Sequence, residues 1–264
     1  MNNTNTFDKD LNPVLELVTS EDLAPLIDYL KKAKFKTIDN SEAYINYAPE
    51  HSKYADLIAE NLREMGGNSF RNIIREGGPA YVDIVRDVAD KLKAPYNKKH
   101  SVDDVEKSIM STVLKNALHS MHQEEFNELV KSLELPTENF KGQISTASII
   151  TLYNAGGFAS YQMTVLIANQ VARAALGHGL SLAANAGLTR LASILTGPLG
   201  IAATALWTAI DLAGPAYRIT IPSVIYVAML REKLNSGTCN VCSTFLSTFS
   251  QKFCNNCGAK INHD

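Results

Sequence analysis

All four cysteines of the chain lie in its last 26 residues, as two Cys-x-x-Cys pairs separated by eleven residues. Each pair can turn back on itself and point two thiolates at one ion. Two such pairs supply the tetrahedral sulfur set of a structural zinc site. The spacing therefore predicts one metal ion bound by Cys239, Cys242, Cys254 and Cys257.

Four thiolates favour zinc and leave no open coordination position, so we expect one structural Zn²⁺ per chain rather than a catalytic ion. Iron in a rubredoxin-like site is the rival metal, and two disulfides or reduced thiols are the non-metal alternatives. The start of the chain, MNNTNTFDKDLN, lacks the basic and apolar pattern of a signal peptide. We therefore expect the protein to be in the reducing cytoplasm, where metal binding by the cysteines is favoured over disulfides.

The second cysteine pair is followed by Gly258, whose residue type fits the turn of a zinc-ribbon knuckle. His263 could replace one ligand, although four thiolates make this unnecessary. Residues 236–264 are too few to bury a core, so metal binding would supply their folding free energy.

The tail carries little positive charge, since Lys252 and Lys260 are its basic residues between positions 239 and 262. Nucleic-acid binding normally needs a clustered basic surface. The apolar residues favour docking on protein instead: Phe245, Leu246, Phe249 and Phe253.

The elements that must position this tail are predicted to be helical. Residues 1–141 hold 42 of the 52 charged side chains, whereas residues 142–229 hold four. In the charged half, apolar residues recur at helical spacing between capping and breaking residues. Thr19 or Ser20 is the expected cap of the first helix, Pro79 lies in the expected first turn of the fourth, and Ser101 opens the fifth. The predicted helices are 21–33, 52–65, 69–76, 80–93, 102–121 and 124–133.

The uncharged stretch LASILTGPLGIAATALWTAI, residues 191–210, has the length of a membrane-spanning helix. Gly197-Pro198 should break it, and the polar residues of this region fall on one helical stripe. We therefore expect an antiparallel hairpin of 178–196 and 199–213 buried under the charged helices. Two alternatives are a transmembrane protein, and a soluble protein that inserts this hairpin into a membrane on a trigger.

The last predicted helix reads ITIPSVIYVAMLREKL. We expect its cap at Thr220 or Ile221 and Pro222 in its first turn. Arg231 and Lys233, near its end, would complement the helix dipole.

Three stretches resemble motifs of the YaaW family of uncharacterised bacterial helical proteins, which are grouped with the ubiquinol-cytochrome c chaperones. These stretches are GGNSFRNIIREGG, ALGHGL and AYRITIP, and the similarity covers roughly residues 10–234 in matching order. The resemblance implies a mainly helical fold and an assembly or chaperone-like role. It supplies no catalytic residue, and the cysteine tail departs from the shorter family members.

Enzymatic activity is not expected, because the phosphate loop GxxxxGK[ST], the nucleophile elbow GxSxG and the zinc-protease motif HExxH do not occur. His119 and His122, with Glu125 nearby, could hold a second ion but are better explained as surface or dipole partners. His178 is interpreted as a hydrogen-bonded structural residue and Arg218 as a structural partner of Asp211 or of exposed carbonyl groups. Three acidic residues are expected on a solvated helix face: Glu124, Glu125 and Glu128.

The sequence thus predicts a mainly α protein: a helical domain over 1–235, with charged helices over 1–141 and apolar helices over 142–235, and a zinc ribbon over 236–264. We expect a cytoplasmic, non-enzymatic protein that binds other proteins and uses the ribbon for docking. The alternative is a membrane-acting effector that inserts residues 178–213. A net charge of −2 favours no class of partner.

Overall fold

The computed structural model describes residues 7–33, 38–67, 78–133, 144–180, 216–235, 253–254 and 257–260. Within these ranges the regular elements are helical, apart from one isolated β-bridge. Two short 3-10 helices cover Ile38–Asn40 and His51–Tyr54. The α-helices are α1 (Asn12–Glu16), α2 (Ser20–Lys31), α3 (Glu42–Tyr47), α4 (Ala55–Gly67), α5 (Tyr81–Leu92), α6 (Val102–Ser120), α7 (Gln123–Ser132), α8 (Thr146–Ala155), α9 (Gly157–Leu176) and α10 (Tyr217–Asn235).

Capping boxes set the starts of α2 and α6. The side chain of Thr19 accepts a hydrogen bond from the Asp22 amide, and the Asp22 carboxylate accepts one from the Thr19 amide. Ser101 and Asp104 repeat this arrangement at α6. Each box satisfies two amides at the helix start that have no acceptor inside the helix. The predicted caps at Thr19 and Ser101 are confirmed, and so are the helices that follow them.

The start of α5 differs from the prediction. Its N-cap is Ala80, so Pro79 precedes the helix and does not lie in its first turn. Gly78 has a φ of +76°, and the backbone of Arg63 comes so close that a side chain at this position would collide with it. The chain therefore passes directly against the backbone of α4 before α5 begins. The predicted helix over 69–76 lies outside the described residues.

Helix α10 lies at the centre of the described structure. It contacts α1, α2, α4, α5, α6 and α9, and residues 219–230 are all buried. It begins at Tyr217, before the predicted cap, because the Ala216 carbonyl already accepts hydrogen bonds from the amides of Ile219 and Thr220. Pro222 therefore lies inside the helix. Its buried stretch is mostly apolar, with Thr220 and Ser223 as polar exceptions, as is typical of a helix packed on every side.

Helix α9 packs beside α10 and is buried without interruption over residues 160–172. It ends at Gly177, which adopts a left-handed conformation with φ +86°. Residues 178–180 are not helical, and the Leu180 amide donates to Asn169 Oδ1 at 2.8 Å. The prediction that a helix begins at His178 is therefore wrong. The remainder of the expected hairpin, 181–213, lies outside the described residues.

None of the described helices is both long enough and apolar enough to cross a membrane.

Candidate functional site

The second cysteine pair lies in a short hairpin. Phe253 and Lys260 form an antiparallel β-bridge, and the Cys254 amide donates to the Ala259 carbonyl at 2.8 Å. The Gly258 amide donates to the Cys254 carbonyl at 2.9 Å, which closes the turn. Gly258 has a φ of +71°, a conformation that favours glycine. Gly258 therefore has the conformation expected of it, whereas the zinc-ribbon knuckle around it stays a prediction.

The two cysteines of this knuckle have different environments. Cys254 is buried, whereas Cys257 is exposed. Two thiols with two residues between them in the sequence are donors that fit Zn²⁺. Cys239 and Cys242 lie outside the described residues, so the four-cysteine site stays a prediction. Within the described part of the chain, no group of three or more histidine, cysteine or acidic side chains could hold a metal ion.

The described residues around the second cysteine pair include an exposed aromatic ring and an exposed lysine. Phe253 is 58 % exposed, and Lys260, its partner in the bridge, is also exposed. Phe253 is one of the few large apolar side chains found at the surface of the described residues. Of the apolar residues expected to dock on protein, the structure describes this one, and Phe245, Leu246 and Phe249 lie outside the described ranges.

A buried polar network lies within the helical body, and sequence reasoning did not identify it. The Asp8 carboxylate accepts a hydrogen bond from the Tyr81 amide at 2.8 Å, and Arg63 Nε lies 3.7 Å from the same carboxylate oxygen. The Tyr81 hydroxyl donates to Glu106 Oε1 at 2.8 Å. These contacts connect the N-terminal segment to α4, α5 and α6.

Arg231 on α10 completes this network. Its Nε donates to Glu106 Oε2 at 2.6 Å, and its Nη2 donates to the Asp10 carbonyl at 2.6 Å. Glu106 is 2 % exposed. Burial raises the pKa of the Glu106 carboxyl, although Arg231 and Tyr81 act in the opposite direction. Burial also raises the pKa of the Tyr81 hydroxyl.

The space beside this network is too small for a substrate. Glu106 and Glu232 border a cavity of about 10 Å³, together with Lys107 and Tyr153. A void of this size holds about one water molecule at most. Burial raises the pKa of Glu232, and a hydrogen bond from Ser160 lowers it. The cavity beside Glu106 therefore leaves no room for a reacting molecule.

The histidines and acids singled out in the charged half have surface roles. His119 and His122 are both exposed. The Glu125 carboxylate accepts a hydrogen bond from the His122 amide at 2.8 Å, so it caps the start of α7. Glu124 and Glu128 are exposed, as expected of a solvated face, and Glu125 is half-buried.

In the apolar half, His178 and Arg218 are also exposed. His178 Nδ1 donates to the Gly179 carbonyl at 3.2 Å, a local contact in a turn. Asp211, the expected partner of Arg218, lies outside the described residues.

The sequence predicts that Arg231 and Lys233 interact with the dipole of their own helix. The structure shows that both also form ion pairs with other helices. Lys233 Nζ lies 2.7 and 2.8 Å from the two carboxylate oxygens of Asp22 on α2. Arg231 pairs with Glu106 on α6. The sequence does contain one indication of this buried ion pair. Glu106 lies between Val105 and Ile109 on the apolar stripe of α6, where a buried acidic residue needs a partner.

Comparisons with known proteins identify the family. A UPF0174 protein of Helicobacter pylori (strain J99 / ATCC 700824) is 43 % identical over 234 residues, which covers 86 % of this chain and 92 % of the relative. A UPF0174 protein of Helicobacter pylori (strain ATCC 700392 / 26695) is 36 % identical over 75 % of this chain and 98 % of the relative. The UPF0174 protein YaaW of Escherichia coli (strain K12) is 28 % identical over 71 % of this chain and 75 % of the relative.

No family model and no solved structure matches the chain. The names of the relatives state no activity, so the chaperone grouping and the zinc ribbon stay predictions. The resemblance to YaaW is confirmed at the level of the family. By its identity to these relatives over most of its length, the chain belongs to the UPF0174 family.

Proposed function

We propose that this protein acts without catalysis by binding other proteins, in an assembly or chaperone-like role, and that a zinc-stabilised C-terminal ribbon is its docking element. The observation that carries the proposal is the exposed ring of Phe253 on the knuckle that contains Cys254 and Cys257. Aromatic side chains presented on a rigid support are typical anchors of protein interfaces.

The buried ionisable groups support a role without catalysis. Asp8, Glu106 and Arg231 each contact a partner within the helical body. A general acid or base must reach a substrate, and the 10 Å³ cavity beside Glu106 admits none. These groups therefore contribute to holding helices together.

Zinc bound by all four cysteines is part of the proposal. The hydrogen bonds that join Cys254 to Gly258 and Ala259 support it, because they bring the backbone on either side of the cysteine pair together. We expect about one zinc per chain by elemental analysis of protein purified without chelator. Cys254→Ser should lose it, whereas Ser243→Ala, a nearby change of a non-ligand, should keep it. Zinc near zero with four reactive thiols in the unaltered chain would refute this part.

The docking role is tested by capture and binding measurements. The full chain and a chain lacking residues 236–264 are used as bait, and a protein held by the full chain alone is purified. Phe253→Ser should weaken its binding by about thirtyfold, the loss typical of a hot-spot residue. Leu17→Ser is the matched control, because Leu17 is also exposed, at 71 %, but lies outside the tail.

Equal binding by the full and shortened chains would contradict the docking proposal. So would an equal loss of affinity in Phe253→Ser and Leu17→Ser. Turnover of a small molecule by the purified chain, lost in Glu106→Gln, would contradict the proposal of a role without catalysis.

A further inference from the structure

The segment before α1, residues 7–11, is attached to the helical body by both polar and apolar contacts. Phe7 is 52 % exposed, whereas Asp8 is 7 % exposed and Leu11 is fully buried. Asp8 Oδ1 accepts hydrogen bonds from the amides of Asp10 and Leu11, at 3.0 and 3.2 Å. The Asp8 carboxylate therefore fixes the shape of the segment and also faces the core.

Asp8 supplies a cap that α5 lacks in its own sequence. The N-cap residue Ala80 has no side-chain acceptor, and Asp8 Oδ2 accepts the hydrogen bond of the Tyr81 amide, the first of the helix. A carboxylate at this end also interacts favourably with the helix dipole. The cap of α5 thus comes from a residue 73 positions earlier in the chain.

The contacts around this cap form a closed ring. Asp8 contacts Tyr81, the Tyr81 hydroxyl donates to Glu106, and Glu106 pairs with Arg231. Arg231 then donates to the Asp10 carbonyl, which returns the ring to the N-terminal segment. Connected buried hydrogen bonds reinforce one another, so the loss of one link weakens the others.

We infer that residues 7–16 are a clasp that Asp8 holds at the start of α5 and the Asp10 carbonyl holds at Arg231 of α10. This clasp opens as a local unit when the Asp8 contact is removed. Opening uncovers the faces of α4 and α10 that α1 contacts. The inference does not depend on the zinc ribbon or on a binding partner.

Amide hydrogen exchange of the full chain tests the clasp, because it measures local opening separately from global unfolding. Asp8→Ala is compared with Asp10→Ala, since the ring uses the backbone carbonyl of Asp10. In Asp8→Ala we expect the amides of residues 11–12, 14–16 and 81–84 to exchange at least about tenfold faster, as the loss of a charged hydrogen-bond partner predicts. The amides of residues 160–172 on α9 should keep their rates.

Tyr81→Phe keeps the cap on α5 and removes the hydroxyl that connects it to Glu106. We expect hydrogen exchange to become faster at the same two sets of amides, by a smaller factor. This variant therefore tests the clasp even if Asp8→Ala does not fold. Acceleration by one common factor across the whole chain would overturn the clasp, because Asp8 would then act on global stability alone. Rates in Asp8→Ala equal to those in Asp10→Ala would overturn it as well.

Discussion

Helices α6 and α10 have the same length, 19 residues each, but are buried in different ways. Helix α6 buries one apolar stripe and exposes charged residues such as Lys115 on its other side. Helix α10 buries every residue from 219 to 230. The difference follows from location, because α10 is surrounded by helices from both halves of the chain, including α2, α5, α6 and α9.

The two helices also differ in the burial of their ion pairs. On α6, Lys107 and Asp103 form an ion pair at 2.9 Å with both side chains partly in water. At the end of α10, Arg231 forms its ion pair with a carboxylate that is 2 % exposed. An exposed pair contributes little to stability, whereas breaking a buried pair leaves a charge without compensation.

The largest effect is expected from Arg231→Ala. The change leaves the Glu106 carboxylate buried without its cation, so we expect a loss of about 3–5 kcal/mol in the free energy of unfolding. Urea denaturation followed by circular dichroism measures this loss. Lys107→Ala, on the exposed pair, should cost about 1 kcal/mol or less. Equal losses in the two variants would remove the distinction between the ion pairs.

The next largest effects are expected from side-chain truncations at two positions on each helix, chosen two residues apart so that they lie on different sides. On α10, Ile225→Ala should cost about 2–5 kcal/mol and Val227→Ala about 1.5–3 kcal/mol, because both residues are fully buried on different sides of the helix. On α6, Leu114→Ala should cost about 2–5 kcal/mol, but Asn116→Ala, at an exposed position, less than about 0.5 kcal/mol. The same denaturation experiment applies. A neutral Val227→Ala would show that one side of α10 is not packed.

A smaller effect is expected from Ser101→Ala. Ser101 caps α6 through the Asp104 amide, and the loss of such a cap costs about 1 kcal/mol. The change in the urea midpoint measures it. Ser111→Ala, inside the same helix, is the control and should stay within about 0.5 kcal/mol. A cost for Ser101→Ala no larger than that of its control would show that packing alone sets the start of α6.

The pH dependence of Glu106 is a modest effect with a definite sign. Its pKa in the fold lies above the ordinary value of 4.5 that it has in the unfolded chain. Stabilisation by the bound proton is complete below 4.5 and is lost as the pH rises through the folded-state pKa. Residue 106 does not titrate in Glu106→Gln. As the pH rises above 4.5, the unaltered chain should therefore lose unfolding free energy relative to this variant. A constant difference between the two across this range would contradict the raised pKa.

No effect is expected when the protein is added to liposomes. If the apolar residues 178–213 are kept within the protein, as the sequence predicts, dye should stay inside the vesicles. Dye release that is abolished by Leu188→Asp, but not by a change at an exposed position such as Asn116→Asp, would favour the membrane-acting alternative. The burial pattern of α6 and α10 would then belong to the state in water, and a second, membrane-inserted state would exist beside it.

Local signals predicted the parts of the fold that depend on neighbours in sequence. The predicted caps at Thr19 and Ser101 are correct, because a cap is set by residues that are close together in sequence. The turn at Gly258 was predicted for the same reason. At α5, by contrast, the cap comes from Asp8, and no local pattern could reveal it.

The buried polar network could not be predicted because its members are far apart in sequence. The donor and acceptor of the bond from Arg231 to Asp10 are 221 positions apart, and those of the bond to Glu106 are 125 apart. An acidic residue on the stripe of α6 indicated that a partner exists, but many cations could have filled that role. The identity of the partner depends on how α10 is placed.

The central position of α10 has a consequence for synthesis. Because α10 is near the end of the described chain and contacts α1, α2, α4, α5 and α6, these earlier helices leave the ribosome before their central neighbour exists. At typical translation rates, roughly 10–45 s separate the synthesis of Asp10 from that of Arg231. During that interval the nascent chain exposes apolar faces that α10 covers in the described structure. We expect nascent chains stalled before residue 217 to depend on ribosome-associated holdases, and chains extended past 235 to be released from them.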